Sequence, residues 1–418
     1  MNFIDLFAGA GGLSEGFIRM GFNPIAHVEM DRAACNTLLT RTVYHHVKNT
    51  SDFEKYVSYI KGEGITRGEL YELLPEEKRR SVINLAIGDD TNERIFRCID
   101  ELKRDKSIDL IIGGPPCQAY SLVGRARDKN RMKGDPRNYL FQQYAKYLEY
   151  YQPEYFVFEN VIGLLSAKAG NGEFYLKMMI DLFRKVGYIT EYKIQEAKSF
   201  GVLQNRKRII LIGKKGNEGG FYPEFEKWNP HVTVAEVLND LQPLQAGEGT
   251  FFASKYRPYR GEYLFKSHIR NGLDFTIQHI ARPHTEQDKQ IYRIAVEKWE
   301  KRERLDYNEL SEDLKTHKNT DSFVDRFKVV VADRPYSQTI VAHISKDGHY
   351  YIHPDIEQNR SLTPREAARL QSFPDDFYFE GDTIKPSRTA AFKQIGNAVP
   401  PLMAEKIAMS IRQILLNR

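Results

Sequence analysis

The fold of this chain is decided near its start, by the stretch NFIDLFAGAGGL at residues 2–13. The first half of the stretch is β-rich, and the second half is a glycine turn that opens a helix, Phe7-Ala8-Gly9-Ala10-Gly11-Gly12. Glycines at such a place let the backbone approach a ligand closely, because they carry no Cβ atom. The turn differs from the GxGxxG of dinucleotide enzymes, and by itself it is equally typical of a tight strand-to-helix connection.

Outward from this turn, short β-rich runs alternate with helical stretches over the first half of the chain. The runs recur at residues 24–28, 81–87, 108–112, 155–158 and 208–212. This alternation predicts an α/β fold, with a doubly wound, mostly parallel sheet that has helices on both faces. Ligands of such sheets bind outside the carboxyl ends of the strands, so the residues that follow each run are the candidates for chemistry.

Acidic side chains follow the second and third β-rich runs. Glu29 lies 17 residues past Gly12, where an acid commonly accepts hydrogen bonds from ribose hydroxyls. Asp89 follows the third run and is placed to contact the same ligand. The glycine turn and these two acids therefore favour an adenosyl cofactor.

The fourth run leads into a turn that holds a cysteine at the edge of the sheet, Gly113-Gly114-Pro115-Pro116-Cys117-Gln118. A thiolate is reactive enough to add to carbon 6 of cytosine, which makes carbon 5 of the ring an enamine nucleophile. An isolated cysteine is also common as a small buried apolar residue. Cys117 is thus a candidate nucleophile.

Glu159-Asn160-Val161 follows the fifth run and brings a carboxyl group beside Cys117 if the two strands are neighbours. Addition to the cytosine ring builds negative charge that protonation of ring nitrogen 3 relieves, so a carboxylic acid there fits a general acid. The segment at residues 204–208, QNRKR, adds cations suited to binding a phosphate or orienting a base. A structural salt bridge is the commoner role of such arginines taken alone.

Two other regions have a different composition. Residues 42–80 are mixed and charged, and they predict a surface insertion. From about residue 221 to 350 the chain is aromatic, basic and irregular, except for an amphipathic helix predicted at 286–304. Basic and aromatic residues interleave between 251 and 270, which suits a nucleic-acid surface as well as a solvated loop. The basic residues are Lys255, Arg257, Arg260, Lys266 and Arg270.

Composition sets outer limits on function. A chain of 418 residues suggests two or three domains, and its 41% hydrophobic and 28% charged content is that of an ordinary globular protein. We expect no membrane segment, because no uncharged apolar run approaches ~20 residues. Three scattered cysteines predict neither disulfides nor a metal site and fit the reducing cytoplasm. The net charge of +5 permits a polyanionic partner.

Six segments, taken in order, resemble the motif set of the DNA cytosine-5 methyltransferases of bacterial restriction-modification systems. They lie at residues 7–12, 115–118, 159–161, 204–208, 365–374 (REAARLQSFP) and 394–400 (QIGNAVP). The resemblance covers about residues 1–215 and 326–410.

The resemblance implies a function and a division of the chain. Residues 1–220 and 391–418 would form a catalytic domain that binds S-adenosyl-L-methionine, and residues 221–390 a target-recognition domain. The enzyme would methylate carbon 5 of a flipped-out cytosine in double-stranded DNA through a covalent Cys117 adduct. It would act as a monomer and protect DNA from a cognate restriction endonuclease that acts on the same site without direct contact.

The resemblance also implies roles for individual residues. Cys117 would be the nucleophile and Glu159 the acid, with Arg206 and Arg208 supporting the flipped nucleotide. Residues 121–137 resemble the loop that closes over DNA in this family. The cofactor site would be lined by Phe7, Gly9, Gly11, Gly12, Leu13, Glu29, Asp89, Pro116, Asn397 and Ala398. The predicted DNA contacts are Gln118, Ser121, Arg137 and Thr339 from the resemblance, together with Lys255, Arg257 and Arg260 from the basic stretch at 251–270.

Three alternatives compete with this interpretation. A tRNA-methylating relative shares the chemistry of Cys117 and Glu159, but its Cys-Phe-Thr segment is absent and the long variable region favours DNA. An inactive paralogue that only binds DNA or an enzyme is disfavoured by the presence of both residues together with the glycine turn. An NAD dehydrogenase would need a phosphate-binding GxGxxG and leaves Cys117 without a role.

Overall fold

A seven-stranded sheet forms the centre of the molecule. The structure, a computed structural model, describes residues 1–116, 139–315 and 323–417. The strands of the sheet are β1 (Asn2–Leu6), β2 (Asn23–Glu29), β3 (Val82–Asn84), β4 (Leu110–Gly113), β5 (Tyr155–Val161), β6 (Tyr188–Glu196) and β7 (Lys207–Lys215). Their order is β3-β2-β1-β4-β5-β7-β6, in which β1 to β5 are parallel and β7 is antiparallel to both of its neighbours.

Helices cover both faces of this sheet and extend into the second half of the chain. They are α1 (Gly12–Arg19), α2 (Arg32–Val47), α3 (Phe53–Lys61), α4 (Arg67–Glu72), α5 (Glu76–Arg80), α6 (Asp89–Lys103), α7 (Leu140–Tyr151), α8 (Tyr175–Lys185), α9 (Tyr263–Lys266), α10 (Glu286–Glu300), α11 (Pro364–Leu370), α12 (Arg388–Asn397) and α13 (Pro401–Leu416). One apolar cluster joins α6, α7 and α8 to the sheet, and a second joins α1 and α13 to the opposite face. The predicted doubly wound, mostly parallel fold is therefore confirmed.

The edge strand β6 has no counterpart among the predicted runs. Only Tyr188 of its nine residues is buried, while Tyr192 and Ile194 are exposed. Polar and apolar residues alternate over residues 191–196, but the apolar side chains of this alternation are on an exposed face rather than in the core. The strand is specified by its ladder with β7 rather than by its own burial pattern.

The C-terminal helix returns to the sheet. Ile407 and Ile411 of α13 are buried, and α13 crosses α1 at close range. A Cβ atom on Gly16 would lie 2.3 Å from the backbone nitrogen of Glu405. The two helices can approach this closely only because residue 16 has no side chain.

The second half of the chain is largely irregular. Two short antiparallel ladders pair β8 (Gly249–Thr250) with β11 (His279–Ile280) and β9 (Ser254–Lys255) with β10 (Phe275–Thr276). The predicted amphipathic helix is α10, which begins at a capping box formed by Thr285 and Asp288. An apolar cluster that includes Phe373 and Phe392 crosses the predicted domain boundary at residue 390. The division into two domains stays a prediction.

The stretch at residues 42–80, predicted to be a surface insertion, is mostly not buried, but it is packed onto the second half of the chain through one apolar face. This stretch contains the end of α2 and the helices α3, α4 and α5. Six of its side chains are buried in one apolar cluster with Phe275, Ile277 and Tyr378 from the second half of the chain. Those six are Val43, Val47, Tyr56, Ile60, Leu70 and Leu74. Their spacing is obscured in the sequence by the charged residues on the outer faces of these short helices.

Within the described ranges, no helix is both long enough and apolar enough to cross a membrane.

Candidate active site

The glycine turn after β1 has a backbone that few residues other than glycine adopt. Phe7, Gly9 and Gly11 all have positive φ angles, of 57°, 55° and 81°. Gly11 is also the N-cap of α1. A non-glycine residue in this conformation is uncommon, and it often marks a functional site. The turn therefore presents backbone, rather than side chains, at the carboxyl end of β1.

Glu29 is bound to this turn from the end of the neighbouring strand β2. Its Oε2 accepts a hydrogen bond of 2.8 Å from the amide of Gly9, and its Oε1 accepts one of 2.7 Å from the amide of Asp31. Burial raises the pKa of Glu29 above its ordinary value, and the two backbone donors oppose this shift. The carboxyl group is thus held in one orientation beside the glycine turn.

The C-terminal motif reaches the same turn. A Cβ atom on Gly12 would lie 2.3 Å from the carbonyl oxygen of Val399 and 3.2 Å from Cβ of Ala398. Asn397 is exposed at the end of α12, and Leu13 is buried beneath the turn. The fold therefore brings the predicted cofactor residues near both chain termini into one place.

Asp89 lies differently from these residues. It is the first residue of α6, and its side chain, 71% exposed, pairs with Lys146 of α7. It also accepts a hydrogen bond of 3.1 Å from Nε2 of Gln143. The hydrogen bonds from Lys146 and Gln143 lower the pKa of Asp89. Its contact with a cofactor stays a prediction.

Glu159 lies against the turn that leads to Cys117. The strands β4 and β5 are neighbours, with Gly113 opposite Phe158. This is the arrangement on which the prediction for Glu159 depended. A Cβ atom on Gly114 would lie 2.0 Å from the carbonyl oxygen of Glu159 and 3.3 Å from its Oε2. The side chain of Asn160 donates a hydrogen bond of 3.3 Å to the carbonyl oxygen of Pro115. The carboxyl group therefore faces the approach to Cys117.

The two arginines of the 204–208 segment have different surroundings. Arg208 pairs with Glu159, with 2.6 Å between Nε and Oε1. Arg206 is fully buried, and its guanidinium donates to the carbonyl oxygens of Ile340, at 2.8 Å, and Gly396, at 3.4 Å. The predicted support of a flipped nucleotide by Arg206 stays a prediction, and its guanidinium contacts backbone carbonyl groups.

Thr339 is joined to the same segment. Its hydroxyl donates a hydrogen bond of 2.5 Å to the carbonyl oxygen of Asn205. The buried Gln204 accepts a hydrogen bond from the amide of Ile340 and donates one to the carbonyl oxygen of Leu370. The motifs at 204–208, 338–340 and 365–374 therefore form one connected polar network.

Four predicted site residues lie outside the described residues, namely Cys117, Gln118, Ser121 and Arg137. The last described residue before them is Pro116, which is exposed. In the part of the chain that the structure describes, no group of three or more His, Cys, Asp or Glu side chains could hold a metal ion.

The basic and aromatic stretch at 251–270 is only partly a surface. Lys255, Arg257 and Arg260 are exposed, as a DNA contact requires. Tyr256 instead turns inward and donates a hydrogen bond of 2.6 Å to Asp375, and the guanidinium of Arg270 lies 4.0 Å from its ring centre. These two residues of the stretch therefore contact other side chains rather than lying free on the surface.

Two residues near Glu29 were missed in the sequence. Met30 is a large apolar side chain that is 68% exposed at the end of β2. Asn84 donates hydrogen bonds to the carbonyl oxygens of Glu29 and Met30, which holds the end of β2 against β3. An apolar residue directly after a strand-ending acid was the available signal for Met30.

The sequence profile of the C-5 cytosine-specific DNA methylases matches residues 1–68 and 77–413 of this chain. The chain is 42% identical, over 456 aligned positions, to type II methyltransferase M.Bpa9945I of Bacillus paralicheniformis, with 99% of each chain covered. It is 32% identical over 425 positions to type II methyltransferase M.DdeI of Desulfomicrobium norvegicum, covering 98% of this chain and 88% of the relative.

Solved structures share the fold. A protein described as a DNA modification methyltransferase encoded within an Escherichia coli prophage matches with a TM-score of 0.61 and 23% identity, over the whole of both chains. The Entamoeba histolytica methyltransferase EhMeth matches with a TM-score of 0.55 and 13% identity, over 99% of this chain and 98% of that one.

Proposed function

Because the chain belongs to the C-5 cytosine-specific DNA methylase family, and is a DNA cytosine methyltransferase of the type II restriction-modification kind, we propose that it acts through a covalent bond between Cys117 and a flipped-out cytosine of double-stranded DNA. The observation that carries this proposal is the contact between Gly114 and Glu159. It places the turn that precedes Cys117 against a carboxyl group, which is the pairing that the chemistry needs.

The reaction balances with these two side chains. The Cys117 thiolate adds to carbon 6 of the cytosine while the Glu159 carboxylic acid protonates ring nitrogen 3, and carbon 5 becomes nucleophilic. Carbon 5 takes the methyl group, whose bond to the sulfonium sulfur breaks with its electron pair staying on sulfur, and carbon 5 then loses its own proton to a base. The electron pair of the carbon–hydrogen bond re-forms the double bond between carbons 5 and 6, and the Cys117 thiolate leaves. Ring nitrogen 3 returns its proton to the Glu159 carboxylate, which restores the acid.

The residues around the glycine turn fit S-adenosylmethionine, which supplies a methyl group on a sulfonium sulfur when it is bound. The fixed carboxyl group of Glu29 can accept hydrogen bonds from ribose hydroxyls, and Met30 adds apolar surface beside it. Asn397 and Ala398 close the other side of the turn, where Gly12 leaves room for the backbone. Phe7, Gly9 and Gly11 present backbone groups to the same ligand.

Arg206 and Arg208 have different roles in this proposal. Arg208 pairs with Oε1 of the Glu159 carboxyl group, and Oε2 of the same group is the oxygen near the Gly114 turn. Arg206 is a positioning residue, because it ties the backbone at Ile340 and Gly396 to the end of β7. Thr339 lies beside this junction and is the candidate for a DNA backbone contact.

We place DNA recognition in residues 221–390, with phosphate contacts at Lys255, Arg257 and Arg260. Exposed cations in an irregular segment support this assignment. Methylation would protect DNA from a restriction endonuclease that cuts at the same site without binding this enzyme. Its monomeric state and cytoplasmic location belong to the same proposal.

Duplex DNA with 5-fluorocytosine at the target tests the covalent step, because fluorine at carbon 5 cannot leave as a proton. The wild-type enzyme with S-adenosylmethionine should form a denaturant-resistant adduct, and Cys117→Ser should form none. Cys35→Ser and Cys98→Ser are the matched controls and should still form it. Peptide mapping decides the outcome, since a crosslink on any residue other than Cys117 would refute the mechanism.

A further inference from the structure

The helices α3 and α4 pack against the part of the second half that carries Lys255. Tyr56 and Ile60 of α3 and Leu70 of α4 share an apolar cluster with Phe275 and Ile277. Phe275 is paired directly with Lys255 in the ladder of β9 and β10. Phe275, which lies opposite the predicted DNA contact Lys255, therefore has its side chain buried against these helices.

Polar bonds fasten α3 to a second neighbouring segment. The hydroxyl of Tyr56 donates to the carbonyl oxygen of Asp376 at 2.7 Å, and the hydroxyl of Tyr59 donates to Oε1 of Glu380 at 2.6 Å. Glu380 is almost completely buried, so these bonds form where water does not compete. The same segment is tied to the ladders, because the side chain of Gln278 donates to the carbonyl oxygen of Phe379.

The end of α3 meets the tip between β8 and β9 at one glycine. Gly62 ends the helix with a φ of 75°, and a Cβ atom there would lie 2.7 Å from Cδ1 of the Phe252 ring. Phe252 is three residues before Lys255 and is 38% exposed, so its ring could be pushed aside into solvent. Nearby, Nζ of Lys61 lies 5.1 Å from the ring centre of Phe275.

We propose that α3 and α4 are a support that positions the β9–β10 ladder for reading DNA, and that Gly62 is a positioning residue that seats Phe252 on this support. The inference rests on the proposed function, because it assumes that residues 221–390 recognise the target. It assigns residues 53–72, which the motif set leaves without a role, to site selectivity rather than to cofactor binding or catalysis.

Gly62→Ala tests the support, with Gly64→Ala as its matched control. Gly64 has nearly the same φ, 78°, but no atom lies within 4 Å of its Cβ position. The two variants share the strain of alanine in a left-handed conformation, and only Gly62→Ala displaces Phe252. A difference between them therefore reports the contact and not a general loss of stability.

The first readout is discrimination between the target duplex, identified by bisulfite sequencing, and a duplex with one changed base pair. One wrong base pair typically costs a DNA-binding protein roughly 5- to 150-fold, and we expect Gly62→Ala to reduce the discrimination by about tenfold. Gly64→Ala should stay close to the wild type. Affinity for S-adenosylmethionine should be unchanged in both.

A double variant shows whether the effect passes through the ring. If it does, Gly62→Ala combined with Phe252→Ala should discriminate like Phe252→Ala alone, because coupled changes are not additive. Equal losses in Gly62→Ala and Gly64→Ala, no loss in either, or strict additivity in the double variant would each overturn the proposal.

Amide hydrogen exchange without DNA separates this inference from the proposed function. Gly62→Ala should speed exchange at residues 249–256 and 275–280, and Gly64→Ala should not. A wild-type protein that methylates no DNA would refute the proposed function, whereas the exchange comparison would still show whether α3 supports the ladders. Faster exchange with unchanged discrimination would refute only the inference.

Discussion

Gly114→Ala should impair catalysis while leaving the fold and the cofactor site intact. Gly114 has an ordinary φ, so alanine adds no backbone strain there. Its new Cβ atom would lie 2.0 Å from the carbonyl oxygen of Glu159, and real Cβ atoms essentially never approach closer than 3.0 Å. The turn before Cys117 must therefore move away from β5 by about 1 Å, because the contact is with backbone that is held in the centre of the sheet.

The size of the effect follows from this displacement. A misplacement of about 1 Å between reacting groups can lower a rate by about 10²-fold. The overpacking itself costs about 1–3 kcal/mol of stability, which a protein of this size can absorb. We therefore expect kcat and the rate of trapping by 5-fluorocytosine DNA to fall by about two orders of magnitude.

The assay measures single-turnover methylation, the trapping rate and S-adenosylmethionine affinity for each variant, with urea unfolding as a check of the fold. Gly170→Ala is the control, since its Cβ position has no atom within 4 Å and its φ is also ordinary. A folded Gly114→Ala enzyme that reacts within a few-fold of the wild-type rate would refute the reasoning that the Cys117 turn rests on Glu159.

Three further predictions concern packing, pH and DNA binding. Gly16→Ala should lower the free energy of unfolding by about 1–3 kcal/mol, because α13 lies too close to residue 16 for a methyl group. This loss should exceed the gain of about 1 kcal/mol that alanine brings to a helix. A variant that is more stable in urea than the wild type would contradict the prediction. Burial lowers the pKa of His279 and of His353 to about 4. As the pH falls below 6.5, these histidines are therefore protonated in the unfolded chain before they are protonated in the folded one. The free energy of unfolding should fall by roughly 2 kcal/mol for each histidine between pH 6.5 and 5. Equal urea midpoints at pH 7 and pH 5 would rule this out. Replacing Lys255 and Arg257 with alanine should reduce the log-log salt dependence of DNA binding by roughly one unit per lost phosphate contact, and an unchanged slope would place them off the DNA.

The sequence predicted most of the sheet and the places where its strands end. Six of the seven strands were predicted, because buried strands read as short apolar runs, and the turns that follow several of them carry distinctive residues. The order of the six motifs indicated the family, and the neighbouring positions of β4 and β5 bring Gly114 to Glu159. Local pattern and chain order are sufficient for these features, since a strand's burial and its end depend on adjacent residues.

Only the tertiary structure decided what each side chain contacts. Arg206 and Arg208 are two residues apart in one motif, yet one is buried on backbone carbonyl groups and the other pairs with Glu159. Tyr256 looked like a surface ring but is bonded to Asp375, 119 residues away. Residues 42–80 looked like an insertion on the surface, yet six of their side chains are buried in a cluster with Phe275. The physical reason is that a local pattern shows which face of a segment is apolar, whereas the partner that covers this face, or satisfies a polar group on it, comes from a distant part of the chain.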